Sequence, residues 1–167
     1  DVHCGGGRWL IAMAKRFPGT RLTGVEFEAD SVARARAHVE EAGLSGRIAI
    51  EHGDLGSVGH AGEMTLAYFQ YALHQLADPA GAIASAWQAL RPGGWLVALD
   101  WYLPTDPDEL RTRHAELIAG VQLDELIQGT RLVTRSEALG WFAAAGIPTP
   151  ALIDLPSGAS AVVAQRP

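Results

Sequence analysis

The stretch Asp1-Val2-His3-Cys4-Gly5-Gly6-Gly7 sets an acidic residue and closely spaced glycines directly before the amphipathic run Arg8-Trp9-Leu10-Ile11-Ala12-Met13. This is the pattern of a strand end that turns tightly over a ligand. Glycine lets the backbone reach positive φ and lets a ligand approach the main chain without meeting a Cβ. The helix behind it presents unpaired N–H groups and a positive dipole end, suited to a carboxylate or a phosphate. The spacing is D-x-H-x-G-x-G. A dinucleotide fingerprint counted from Gly5 would need a glycine or alanine at position 10, where Leu10 stands. Farther along, Glu26, Asp54, His74 and Asp100 each follow an apolar run. In open α/β sheets ligands gather outside the carboxyl ends of the strands, so these positions are the ones to inspect for chemistry. Other chemistries lack support. His3-Cys4 is an adjacent pair rather than a metal-ligand spacing, and neither a G-x-S-x-G elbow nor a Walker A sequence occurs.

The elements that must carry these residues alternate. Helical periodicity covers residues 8–17 and ends at Pro18-Gly19, and residues 21–27 form a short buried strand. A helix over residues 30–42 places Val32, Ala35 and Val39 on one face, with Gly43 as its C′ residue. Residues 47–51 alternate as a strand does, and residues 56–62 are loop-like. Residues 64–71 form another strand. Asp78-Pro79 supplies an N-cap with proline at N1 for a helix to about Leu90. Arg91-Pro92-Gly93-Gly94 reads as a turn before a strand over 95–101. Repeated strand–helix units imply a doubly wound, mostly parallel sheet with helices on both faces. After that, Asp106-Pro107 caps a long helix to about Ile127, and Thr134-Arg135-Ser136-Glu137 is a capping box for a second helix closed by Gly146. Strands near 150–155 and 160–165 around Pro156-Ser157-Gly158 complete an antiparallel hairpin. An acidic loop residue belongs at the end of a buried strand, so the chain is expected to be an N-terminally truncated fragment without its first strand.

At 167 residues the length fits one domain with a full core. The net charge of −6 and the scatter of the 12 arginines argue against a nucleic acid or an anionic membrane as the main partner. A single cysteine excludes an internal disulfide and suits a reducing cytoplasm.

The glycine stretch resembles motif I of the class I S-adenosylmethionine (SAM) dependent methyltransferases, D/E-x-G-x-G-x-G, with His3 at the first glycine position. The resemblance runs through essentially the whole chain. It is closest to the small-molecule O-methyltransferases in the segment from Phe69-Gln70-Tyr71 through His74 to Asp78-Pro79 and Gly94. It implies SAM as cofactor, a small-molecule acceptor, and a homodimer in a longer protein. Asp1, His3, Gly5 and Gly7 would border the cofactor. Glu26 would accept the ribose hydroxyls, and Phe27 either packs on the adenine or belongs to the core. Asp54 would take the adenine amino group and Leu55 would wall the ring. Gln70 stands where the family has a basic cofactor contact.

In the plant caffeic-acid type, the histidine at the place of His74 deprotonates the acceptor hydroxyl. In many related enzymes it only orders the loop. Asp100 matches the acid that orients this base, whereas the second acid of that mechanism falls at Leu132 and is absent. The segment from Trp101 to Thr130 would cover the acceptor, with Tyr102, His114 and Leu117 as candidate lining residues. Methylation of oxygen with His74 as base is the first reading. Methylation of carbon or nitrogen with a structural His74, and a non-catalytic cofactor-binding domain, are the alternatives.

Overall fold

In the computed structural model, which describes residues 1–53, 60–147 and 149–167, helices and strands alternate as the periodicity requires. The first part contains α1 (Arg8–Arg16), β1 (Leu22–Glu26), α2 (Ala29–Glu41), β2 (Ile48–His52) and β3 (Met64–Gln70). A 3₁₀ turn (Leu73–Gln75), α3 (Pro79–Ala89), β4 (Leu90–Asp100) and β5 (Tyr102–Leu103) follow. The remainder is a second 3₁₀ turn (Glu109–Arg111), α4 (Arg113–Ile127), β6 (Val133–Thr134), α5 (Arg135–Ala144) and the hairpin β7 (Ala151–Asp154) and β8 (Ser160–Gln165).

β1 pairs in parallel with β2, and β3 in parallel with β4. β8 runs antiparallel to β4 and to β7. Val2 links the two halves, bridging Val25 on one side and Phe69 on the other in the parallel sense. The spatial order is therefore β2-β1-Val2-β3-β4-β8-β7. Alternate residues of a strand face opposite sides, and the core follows that rule. Gly24 faces Cys4 and Leu10 in a cluster with α1 and α2, whereas Val25 joins α3 and α5 through Ala82, Ile83, Ala86, Ala138 and Phe142. Helices thus cover both faces.

Three features differ from the sequence reading. β4 begins at Leu90 and absorbs the turn: Met64 stands opposite Leu90 and Leu66 opposite Trp95, so Arg91–Gly94 bulge out of the ladder. Gly93 takes φ 78°, and a Cβ on Gly94 would lie 2.9 Å from the Arg91 carbonyl. The helix expected from Asp106 starts instead at Arg113, capped by Thr112, whose side chain accepts the Ala115 N–H. The Asp106 carboxylate accepts the Asp108 N–H at 2.7 Å and so closes a turn rather than a helix. The short parallel pair β5–β6, which fastens the cover segment to the start of α5, was not foreseen.

A groove of about 250 Å³ lies between the starts of β1 and β3, lined by Trp9, Met13, Leu22, Met64, Leu66 and Tyr68 among others. Where β1 passes under the glycine loop, the approach is as close as it can be. A Cβ on Gly24 would sit 2.6 Å from both Cys4 Sγ and Leu10 Cδ1. Gly24→Ala should therefore destabilise the fold by about 1–3 kcal/mol through overpacking, measured by denaturant unfolding. A loss below ~0.5 kcal/mol would show that β1 and α1 are not held this tightly.

Candidate functional site

The glycine loop takes the turn its residues permit. His3, Gly5 and Gly7 have φ of 62°, 50° and 71°. His3 and Cys4 donate their N–H groups to the Val25 carbonyl at 2.9 and 3.1 Å, fixing the loop against β1. Histidine is among the few non-glycine types tolerated at positive φ, so the turn survives the substitution. Gly5 is needed for its φ alone, since a Cβ there would meet nothing within 4 Å. α1 then begins with Gly7 as an N-cap that has no side chain to occupy its first N–H groups.

Glu26 at the end of β1 is completely buried. Its Oε2 accepts the Gly5 N–H at 2.9 Å, and its Oε1 accepts those of Phe27 at 2.9 Å and Glu28 at 3.0 Å. Burial works against the charge, but His3 and these N–H donors outweigh it and hold the carboxyl down to about 2. His3 Nδ1 lies 3.2 Å from Oε2, buried and off the line of a hydrogen bond, and its Nε2 is 3.1 Å from Gln75 Oε1. The ring also stacks on Phe27, with centroids 5.3 Å apart. His3 therefore covers both residues expected to meet the nucleoside. The proximity of Glu26 raises the His3 pKa despite burial.

The adjoining opening of about 500 Å³ is lined by Asp1, His3, Cys4, Gly6, Trp9 and Gln70, among others. An open turn, an anionic carboxylate, a half-exposed aromatic ring and an orphaned imidazole nitrogen fit an adenosyl group, provided that His3 swings aside. Asp54 and Leu55 lie outside the described residues.

The second cluster gathers at the ends of β3 and β4. Tyr71, at φ 52°, turns the chain out of β3 into the 3₁₀ turn that carries His74. Gln70 stands opposite Leu99, so the next residue of β4, Asp100, comes beside that turn. His74 Nδ1 is 2.8 Å from Asp100 Oδ2, both side chains being almost fully buried. Asp100 Oδ1 accepts the Trp101 N–H at 2.9 Å. Burial opposes a charge on His74, but Asp100 and Glu125 outweigh it and raise its pKa above the ordinary 6.5. Burial pushes the Asp100 carboxyl up, and the imidazole pulls it the other way.

Glu125, which the sequence reading missed, places Oε2 3.3 Å from His74 Nε2. The signal was present. Ala115, Ile118 and Glu125 are the buried residues of α4 and share one helical stripe, so an acid occupies an apolar register. Leu132, where an acid was sought, is a fully buried core residue. Tyr102 is buried, with its hydroxyl unpartnered among the described atoms. The expectation that His114 and Leu117 line the site is corrected. The His114 ring packs over Gly158 in the terminal hairpin, and Leu117 is 64% exposed.

Because protonated His3 pairs with Glu26, SAM affinity should rise with pH through the raised His3 pKa. The rise should reach up to about tenfold for each unit by which the cofactor lowers that pKa. His3→Gly should keep or tighten binding and flatten this dependence in calorimetric titrations. A tenfold loss of affinity in His3→Gly would show that the imidazole is a ligand contact.

The methyltransferase domain family matches residues 1–94. Among curated relatives, the ubiquinone biosynthesis O-methyltransferase of Thiobacillus denitrificans is 29% identical over 96 residues, which are 58% of this chain and 40% of that protein. Thus the chain spans less than half the length of that relative. The solved structure of PigF with SAH superposes on all of this chain and 49% of its own, with TM-score 0.82 and 22% identity. That of the [4+2]-cyclase SpnF covers 92% of this chain and 52% of its own, with TM-score 0.70 and 23% identity. With motif, sheet order and family match in agreement, the chain belongs to the methyltransferase domain family, in its class I, SAM-dependent fold.

Proposed function

We propose that this chain is the cofactor-binding and catalytic part of a methyltransferase that acts on an oxygen of a small-molecule acceptor, with His74 as general base. The observation that carries this reading is the 2.8 Å contact between His74 Nδ1 and Asp100 Oδ2. A proton held on Nδ1 by the carboxylate leaves the lone pair on Nε2, and Nε2 is buried without an aligned hydrogen bond. SAM supplies a methyl group on a sulfonium, already a good leaving group, so the protein has to align the acceptor and remove its proton. As the acceptor oxygen bonds to the methyl carbon and the carbon–sulfur bond breaks, the acceptor proton passes to Nε2, and the imidazolium formed keeps the Asp100 carboxylate on its Nδ1–H. On the cofactor side, the glycine turn, Glu26, Phe27 and Gln70 would hold the nucleoside and the methionine end.

One observation favours a second reading. The Glu125 carboxylate stands where an acceptor oxygen would reach Nε2, which suits a structural His74. The transfer would then go to carbon or nitrogen, or the domain would bind the cofactor without catalysis. The likeness to a cyclase structure supports keeping fold and reaction apart.

Turnover of a panel of phenols, amines and activated carbons separates these readings, with the phenols expected to react. His74→Gln should then lower the rate by roughly 10²–10⁴ and leave calorimetric SAM affinity intact. The wild-type rate should climb as pH rises through the raised His74 pKa, since only the neutral ring takes a proton. Near-wild-type turnover of a hydroxyl acceptor by the mutant would overturn the base assignment.

A further inference from the structure

His74 Nε2 and Glu125 Oε2 are 3.3 Å apart. With Nδ1–H directed to Asp100, a neutral imidazole would turn its lone pair toward an electron-rich carboxylate. The contact is attractive only while it contains a proton, as an imidazolium between two anions. Glu125 is itself held in place. Thr130 Oγ1 donates to Oε2 at 2.5 Å, and the Thr130 N–H donates to the Glu125 carbonyl at 2.9 Å.

The helix around it is otherwise weakly anchored. From residue 119 to 127, Glu125 is the only buried residue, whereas Leu123, Leu126 and Ile127 are exposed, Ile127 by 77%. Gln122 adds one hydrogen bond, accepting the Leu132 N–H at 2.8 Å. The side chain that fastens this end of α4 is thus a carboxylate on an ionisable partner, not an apolar residue in a socket.

We propose that Glu125 is a positioning residue that latches the C-terminal half of α4 over Nε2 of His74, and that the acceptor enters by displacing it. The proposal rests on the reading of His74 as the base. The carboxylate occupies the place an acceptor oxygen would take, so the resting site is closed and its base is protonated. Release of the latch sends that proton to solvent through the adjoining opening of about 540 Å³, lined by Leu126, Gly129, Thr130 and Arg131 among others. It leaves Nε2 free for the acceptor hydroxyl. The charged groups acting on His74 are Asp100 from β4 and Glu125 from α4; Tyr71, from the turn after β3, and Tyr102, from β5, act on Asp100, and Arg131, from the link to β6, lines the same opening as His74. Arg131 is already paired with Glu137 at 2.6 Å. Glu125 is therefore the charge whose removal His74 should feel without loss of its orienting partner.

The test is a histidine nitrogen NMR titration with amide hydrogen exchange, on the whole chain, for wild type, Glu125→Gln and Thr130→Val. Glu125→Gln should lower the His74 midpoint by at least about half a pH unit and speed exchange over residues 119–127 severalfold. Thr130→Val should move both in the same direction by less. In wild type, that exchange should rise beyond its intrinsic base dependence as pH passes the His74 midpoint. An unchanged midpoint, or unchanged exchange over 119–127 in Glu125→Gln, overturns the latch whatever the turnover of His74→Gln. Near-wild-type turnover by His74→Gln, in contrast, removes the base assignment while leaving the titration result standing.

Discussion

Among the described residues, Asp1 and Val2 connect the halves of this sheet. The Val2 N–H donates to the Tyr68 carbonyl, the Asp1 carbonyl accepts from Val25, and the Asp1 amino group donates to Thr23. Each such bond contributes only about 0.5–1.5 kcal/mol net, yet together they set the spacing between β1 and β3. Val2 is also buried in the larger core cluster, between Val25 and Phe69. The arrangement of the glycine loop, Glu26 and Gln70 depends on that spacing. The glycine loop leaves directly from Val2, Glu26 ends the strand on one flank, and Gln70 ends the strand on the other. A shift of Val2 by one residue would turn the loop over and part His3 from Glu26.

The two histidine sites share a logic. His3 covers Glu26, His74 lies between Asp100 and Glu125, and the single 3₁₀ turn Leu73–Gln75 touches both, through Gln75 to His3 and through His74 itself. Both histidines have raised pKa values, so their ion pairs stabilise the fold fully below about pH 6.5 and less as pH climbs through the raised values. Glu26 contributes in the opposite direction, present above its ordinary value near 4.5 and lost as pH falls toward about 2. The closed arrangement is therefore firmest between roughly pH 5 and 6.5. In that range the polar groups of both sites are turned toward one another.

Much of this could be read from the residues in order. Glycine spacing, the Asp78-Pro79 start and the Thr134 capping box are local signals, and local chemistry decides them. The fold class followed from the alternation, and the closeness of His74 to Asp100 was what the resemblance to the O-methyltransferases implied. What escaped depends on tertiary geometry. The bulge at Arg91–Gly94 needs the partner strand to define it. Helical spacing puts Glu125 in the buried register of α4, but that it meets His74 is set by how α4 packs in the fold. His3 was singled out as an irregularity, but that its ring would lie on Phe27 and guard Glu26 came from the packing.

Arg166 gives the far corner of the fold a dependence in time. Its guanidinium donates to the carbonyls of Trp87, Gln88 and Leu90, the groups left open where α3 ends and β4 begins. Its own N–H donates to the Gly94 carbonyl at 2.8 Å, and Gly93 donates back to its carbonyl. β4 meanwhile waits for β8 along one whole edge. On a ribosome the residues of both histidine sites would emerge well before the segment that completes their sheet. An elongating chain would hold its chemistry in an unfinished frame, exposed to chaperones, until residue 166 closed the corner.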